Sequence, residues 1–178
     1  MLKSSRLLLR SIQQSDINST YLGWLNDPEV NCYLETRFVP QSIESLQAYW
    51  NDHRDDANRP WFAMQIVDNG PHIGNIKLGP INWLHRRADI SLFIGNRDFW
   101  GKGIATESIL LISEWAFQEL DLQKLTAGVY AGNIGSRRAF EKAGFECEAT
   151  LKDEVFFRGG RSDAWRMGLL RRNWKKHF

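Results

Sequence analysis

Apolar residues recur along this chain with two different periods. Leu7, Leu8 and Leu9, bounded by Arg6 and Arg10, read as a short strand. Asp16 is placed to cap a helix that carries Tyr21, Leu22, Trp24 and Leu25. Asn26-Asp27-Pro28-Glu29 is a turn or helix start, with Pro28 at a tolerated first helical position. Ile43, Leu46 and Trp50 fall at helical spacing after Ser42 and predict an amphipathic helix over 43–56. Strands follow at 61–67 and 72–78, and Asp68-Asn69-Gly70-Pro71 between them makes a hairpin. In the next strand, 88–94, Ile90, Leu92 and Ile94 share one face, and Asp89, Ser91 and Phe93 share the other. From about 102 to 120 the period returns to that of a helix, with Ile104, Ile109, Leu111, Ile112, Trp115 and Ala116 in a wide stripe suited to packing on a sheet. A strand over 124–130, a short helix over 134–143 stopped by Gly144, and strands at 146–157 and 162–170 joined by Arg158-Gly159-Gly160-Arg161 complete the chain. The order predicts a single α+β domain spanning 1–178, built on a mixed sheet.

Composition narrows the class of protein. A chain of 178 residues, 43% hydrophobic and 25% charged, can bury one core and does not resemble a disordered protein. A net charge of +2 gives no ground for nucleic-acid binding. Cys32 and Cys147 make no disulfide framework, and His53, His72, His85 and His177 lack metal-ligand spacing, so no metal is expected. The N-terminal residues lack the apolar run of a secretory signal, and no stretch reaches membrane-spanning length. Cytoplasmic residence and no membrane partner are the expectations. The terminal Arg171-Arg172-Asn173-Trp174-Lys175-Lys176 reads as a solvated basic end, with contact to an acidic partner as the alternative.

The strongest chemical signal lies between the strand at 88–94 and the long helix. Gly101 and Gly103 flank Lys102, which lets the backbone turn sharply and approach a ligand. A helix opening from such a loop presents unpaired N–H groups and a positive dipole end to an anion, most naturally a phosphate or pyrophosphate. A Walker A run, GxxxxGK[ST], is absent. The dinucleotide fingerprint fails because Thr106 stands where its last glycine should be, and the strand 124–130 ends without an acidic residue for a ribose.

The segment Trp100-Gly101-Lys102-Gly103-Ile104-Ala105 resembles the acetyl-CoA-binding motif of the GCN5-related N-acetyltransferases, with Trp100 in place of the usual Gln or Arg. Asn133-Ile134-Gly135-Ser136, followed by Gly144-Phe145, is similar to that family's second motif. The opening Arg6 to Arg10, with Trp24 to Val30, resembles the branch that acetylates N-termini of ribosomal proteins. The resemblance implies that family's α/β/α fold, a mostly antiparallel twisted sheet of about seven strands flanked by about four helices. It implies acetyl-CoA as co-substrate, direct attack by an amine, and a monomer or homodimer.

Carried onto this chain, the resemblance assigns the pyrophosphate to the loop residues Trp100, Gly101, Lys102, Gly103, Ile104, Ala105 and Thr106. It assigns the pantetheine arm to Leu92, Phe93, Ile94 and Asn133, with Ser136 and Arg138 beside the cofactor. The strand edge at 92–94 should splay from its neighbour, and the Phe93 amide, or one beside it, is the expected oxyanion donor. Asn133 is equally suited to capping the helix that follows it. Many relatives donate a proton to the departing thiolate from a tyrosine where Phe140 stands, so Ser136 takes that role here. Asp89 and Glu35 are the candidate general bases, each also readable as a surface or ion-paired carboxylate. An α-amine titrates near 8 and a lysine near 10.4, and an acceptor of low basicity suits so weak a base set. The first expectation for the acceptor is a protein N-terminal α-amine. The alternative is a small amine such as a nucleotide-linked amino sugar, and a catalytically silent acetyl-CoA-binding module is the rival from another class. Lys102→Ala is expected to raise the KM for acetyl-CoA with little effect on that for the acceptor, as steady-state kinetics in each substrate would register.

Overall fold

In the computed structural model, which describes residues 1–177, the two periods resolve into eight strands and five α-helices. The strands are β1 (Leu2–Lys3), β2 (Leu7–Ser11), β3 (Trp61–Ile66), β4 (His72–Leu78), β5 (Arg87–Ile94), β6 (Lys124–Tyr130), β7 (Glu146–Phe157) and β8 (Gly160–Leu170). The helices are α1 (Ser19–Asn26), α2 (Pro28–Asn31), α3 (Ile43–His53), α4 (Ile104–Gln118) and α5 (Ile134–Lys142). One sheet runs in the order β1-β2-β3-β4-β5-β6-β8-β7. Every neighbouring pair is antiparallel except β5 and β6.

The sheet has one strand more than expected because β1 is only two residues long, too short for a period to register. The extra helix is α2, where Pro28 opens its own turn behind an Asp27 cap. α3 stops at His53 rather than 56. Asp16 does not cap α1. Asn18 does, accepting from the N–H groups of Thr20 and Tyr21. Asp16 is instead buried and takes both Arg10 guanidinium nitrogens at 2.7 Å.

Two apolar layers cover the two faces. The main core joins α4 and α5 to one face through Ile109, Ile112, Phe117, Leu125, Phe140 and Met167. The other face carries a smaller cluster that seats α1 and α3 through Tyr21, Leu25, Leu46 and Trp50 on Trp61 and Ala63. This second cluster reaches β5 only at Phe93 and leaves β6, β8 and the Ser91 stretch of β5 open on their near side.

Arg10, Asp16 and His72 tie the second layer to the sheet. Burial opposes ionisation of Asp16, but the bonds from Arg10 and the Gln13 N–H outweigh it and hold the carboxyl below its ordinary range. Burial also lowers His72, and Asp16, 3.7 Å away, only partly offsets this. Both shifts have the same sign: the folded state binds fewer protons than the unfolded chain, so stability rises with pH across each window. Thermal stability is expected to hold from neutral pH down to about 6.5 and to fall below it as the unfolded His72 protonates, with a second fall below about 4 from Asp16. Melting curves across that range should show the upper limb flattened in His72→Asn.

Candidate active site

β5 and β6 pair through only three residues, Arg87 with Lys124, Ala88 with Leu125 and Asp89 with Thr126. Beyond Asp89 the two parallel strands diverge, and the β5 edge from Ile90 to Ile94 faces a wedge without a strand partner. β4 still pairs with the other edge up to Ile94, which keeps β5 straight while β6 turns away with β8. The expected splay is present. Leu92 and Ile94 pack toward the main core. Phe93 points to the opposite face, stacked on Tyr21 at 6.0 Å between ring centroids.

The glycine loop closes the end of this wedge. Gly101 and Gly103 have φ of 71° and 79°, in the left-handed region where a side chain is strained. Gly103 is the N-cap of α4 and has no side-chain cap, so the first amides of a 15-residue helix are left for a ligand. These residues fit a pyrophosphate: nothing lies within 4 Å of a Cβ built at Gly101, and Lys102 is exposed beside it. The indole N–H of Trp100 is bonded to the Ile94 carbonyl at 2.8 Å. Trp100 therefore fixes the loop to the end of β5, and its one polar atom is already committed.

Sequence reasoning missed the brace behind the loop. Buried Glu107, in the first turn of α4, is held by Ser4 and by the Arg6 guanidinium. Arg6 also donates to the Lys102 carbonyl at 3.2 Å. The chain's opening segment thus grips the loop at both ends, and the only sequence signal was a charge at a strand boundary.

Asn133 caps α5, its Oδ1 accepting from the Ser136 N–H at 3.1 Å. Ser136 is half-buried in the first turn, and Arg138 is exposed on the same helix. Phe140 is buried against Phe145 in the main core, so that position supplies packing and no hydroxyl.

The two candidate bases lie in different settings. Asp89 Oδ1 accepts from the Thr126 hydroxyl and from Arg166 Nη2, the latter at 2.8 Å. The three side chains lock β5, β6 and β8 together where the splay begins. Glu35 is exposed in the strap 33–38 and accepts from the Tyr130 hydroxyl, which Arg37 also reaches at 3.2 Å. Burial, then Glu35, pushes the Tyr130 pKa up, against the pull of Arg37. The strap is anchored further by Tyr33 on the Gly132 carbonyl and by Arg37 on that of Phe156. Thr126, Gly128 and Tyr130 alternate onto one face of β6, a pattern legible in the sequence once β6 is placed beside β5. Ser91 and Gly128, in two central strands, are both exposed on that face. Exposure in mid-sheet marks a cleft, floored by the splay and roofed at one end by the strap. It opens opposite α4 and α5, so a thioester lying in the wedge can be approached by an amine from the far side.

The chain matches the acetyltransferase (GNAT) domain family over residues 6–146 and belongs to it. It is an N-acetyltransferase, and acetyl-CoA is its co-substrate. It is 28% identical to the uncharacterized N-acetyltransferase p20 of Bacillus licheniformis, over 97% of each chain. A crystal structure of spermidine N-acetyltransferase from Vibrio cholerae in complex with CoA and spermine superposes with a TM-score of 0.85 at 27% identity, covering 96% of this chain and 98% of that one. Likeness to the ribosomal-type N-acetyltransferase YdaF of Bacillus subtilis is 32% over 62% of this chain and 60% of that protein. The expected full-length kinship with the ribosomal branch is thus only partial. Among the described residues no helix is long and apolar enough to cross a membrane.

Proposed function

We propose that this N-acetyltransferase modifies a small primary amine rather than the N-terminal α-amine of a protein. The carrying observation is the end-to-end likeness to an enzyme that acts on spermidine, set against the partial likeness to a ribosomal-type one. The roofed cleft supports the same reading, because the strap 33–38 narrows the approach that a folded protein's N-terminus would need.

In this reading the amides from Gly101 to Thr106 hold the pyrophosphate and the open β5 edge holds the pantetheine arm. Acetyl-CoA supplies the activated thioester. The amine nitrogen attacks the carbonyl carbon, an N–C bond forms, the C–S bond breaks, and the charge on the carbonyl oxygen is met by an amide of the open β5 edge, that of Leu92 or Ile94. The Phe93 amide is not free for this, because Phe93 pairs with Asn75 across the β4 edge. Ser136 gives a proton to the thiolate. A thiol of pKa about 8.5 needs little help to leave. The neutral amine attacks, and Glu35, through Tyr130, takes the proton that its nitrogen sheds once the N–C bond has formed. Asp89 is reassigned from base to anchor, since Arg166 and Thr126 already claim its Oδ1.

A CoA-release assay over a panel of small amines and N-terminal peptides tests the acceptor class. Turnover concentrated in the small amines is expected, and acetylation of peptides alone would overturn the reading.

A further inference from the structure

We infer that the acceptor carries an anionic group, a carboxylate or a phosphate, besides its amine, and that Arg166 receives it. The inference rests on the small-amine reading and names a substrate class within it.

Strand alternation and register place Lys77 of β4, Asp89 and Ser91 of β5, Thr126 and Gly128 of β6, and Arg166 of β8 on the cleft face. Arg166 pairs directly with Gly128, and no atom lies within 4 Å of a Cβ built there. The Arg166 side chain reaches toward Asp89 and Thr126 and stays 34% exposed on this face. Its Nη2 is committed to Asp89 and Thr126, while Nε and Nη1 have no partner among the described residues. Donors of this kind, fixed at one nitrogen and open at the others, suit a carboxylate or phosphate oxygen.

The charges around it agree. Arg166, Arg37 and Lys124 lie on this face with Asp89, Glu35 and Glu148 as carboxylates, and Glu148 is paired with Lys124 at 2.7 Å. Asp89 is held by Arg166, and Glu35 shares the Tyr130 hydroxyl with Arg37. Lys77 has no carboxylate partner among the described residues. It donates to the Tyr49 hydroxyl at 2.7 Å and lies over the Tyr49 and Trp61 rings. Burial, with Arg59 nearby, pulls its pKa down to about 8, as happens to a cation left without an anion. A polycation entering this cleft would meet carboxylates that already have partners: Asp89 on Arg166, Glu148 on Lys124 and Glu35 on Tyr130. An amine with an anion at its other end would meet the open donors of Arg166 while its nitrogen lay toward the wedge.

The test compares acceptors matched in their amine. In a CoA-release assay, 4-aminobutyrate is set against butylamine, glucosamine 6-phosphate against glucosamine, and spermidine is run beside them. The wild-type enzyme is expected to favour at least one anionic member over its neutral twin by about tenfold or more in kcat/KM, the scale of one charge-assisted hydrogen bond. Which pair shows the effect decides between carboxylate and phosphate. Arg166→Gln should bring that ratio close to one. Because the ratio is taken within a single preparation, partial misfolding of the variant does not mimic the result, and the wild-type comparison stands without it. Spermidine preferred over every anionic amine would refute the inference and leave the small-amine reading intact. An anionic preference that survives in Arg166→Gln would refute it as well. Turnover of peptides alone would instead remove the reading on which it rests.

Discussion

Gly74→Ala is expected to lower stability by about 1–3 kcal/mol, the range for overpacking, and to cut kcat about 100-fold, as a 1 Å misplacement at a reacting centre does. Gly74 lies on β4 opposite the splayed end of β5. A Cβ there would fall 2.3 Å from the Phe93 carbonyl oxygen and 2.9 Å from the Ile94 Cα. Both are backbone atoms, so no rotamer change relieves the clash and β5 itself must move. The part that moves carries the open-edge amides of Leu92 and Ile94 and the Ile94 carbonyl that anchors Trp100. Denaturant melts and turnover with a good acceptor would record the two losses together. Gly128→Ala is the stability control, since its Cβ meets nothing within 4 Å, and it should melt with the wild type. Wild-type stability and rate in Gly74→Ala would mean that β5 tolerates displacement, and the geometry assigned to its edge would fail.

Gly103→Val is expected to raise the KM for acetyl-CoA about tenfold or more, the scale of one lost charge-assisted hydrogen bond, while the KM for the acceptor stays close to its wild-type value. The obstacle is conformational rather than steric. At φ 79° and ψ 4° a non-glycine residue carries about 1–2 kcal/mol of strain, and a β-branched one more. The only atom near a Cβ at this position is Arg6 Nη2, at 3.8 Å. The loop can shed the strain by flipping, and a flip turns the first α4 amides away from the pyrophosphate. Steady-state kinetics in each substrate separate the two constants. An unchanged KM for acetyl-CoA would show that these amides do not hold it.

The reading from sequence succeeded where the relevant forces act between near neighbours. Apolar alternation located β5 and β6 to within a residue, and Gly144 marked the end of α5. The left-handed turns at Gly101 and Gly103 followed from residue type. The reading failed where a side chain's partner lies far along the chain. Asp16 looked like a helix cap, yet Arg10 from β2 and His72 from β4 decide its role. Trp100 was legible as a departure from the usual Gln or Arg, but the partner of its N–H, the Ile94 carbonyl of β5, was not. Asp89 could be read as a base or as an ion-paired carboxylate, and its partner Arg166 lies 77 residues away. The Arg6–Glu107 brace spans 101 residues, and no local pattern points to it.

Local sequence was enough for the elements, their order, and a glycine loop able to receive a pyrophosphate. Backbone propensity and side-chain period set these within a few residues of each position. Only the tertiary structure decided the cleft. β8 enters the sheet between β6 and β7, so the last hairpin delivers Arg166 to the strand beside β6 rather than to the sheet's edge. Pairing of β5 with β6 ends after three residues and opens the wedge. Both outcomes depend on strand register and sheet order, which are settled by the packing of all the layers together, and no local stretch of sequence contains them.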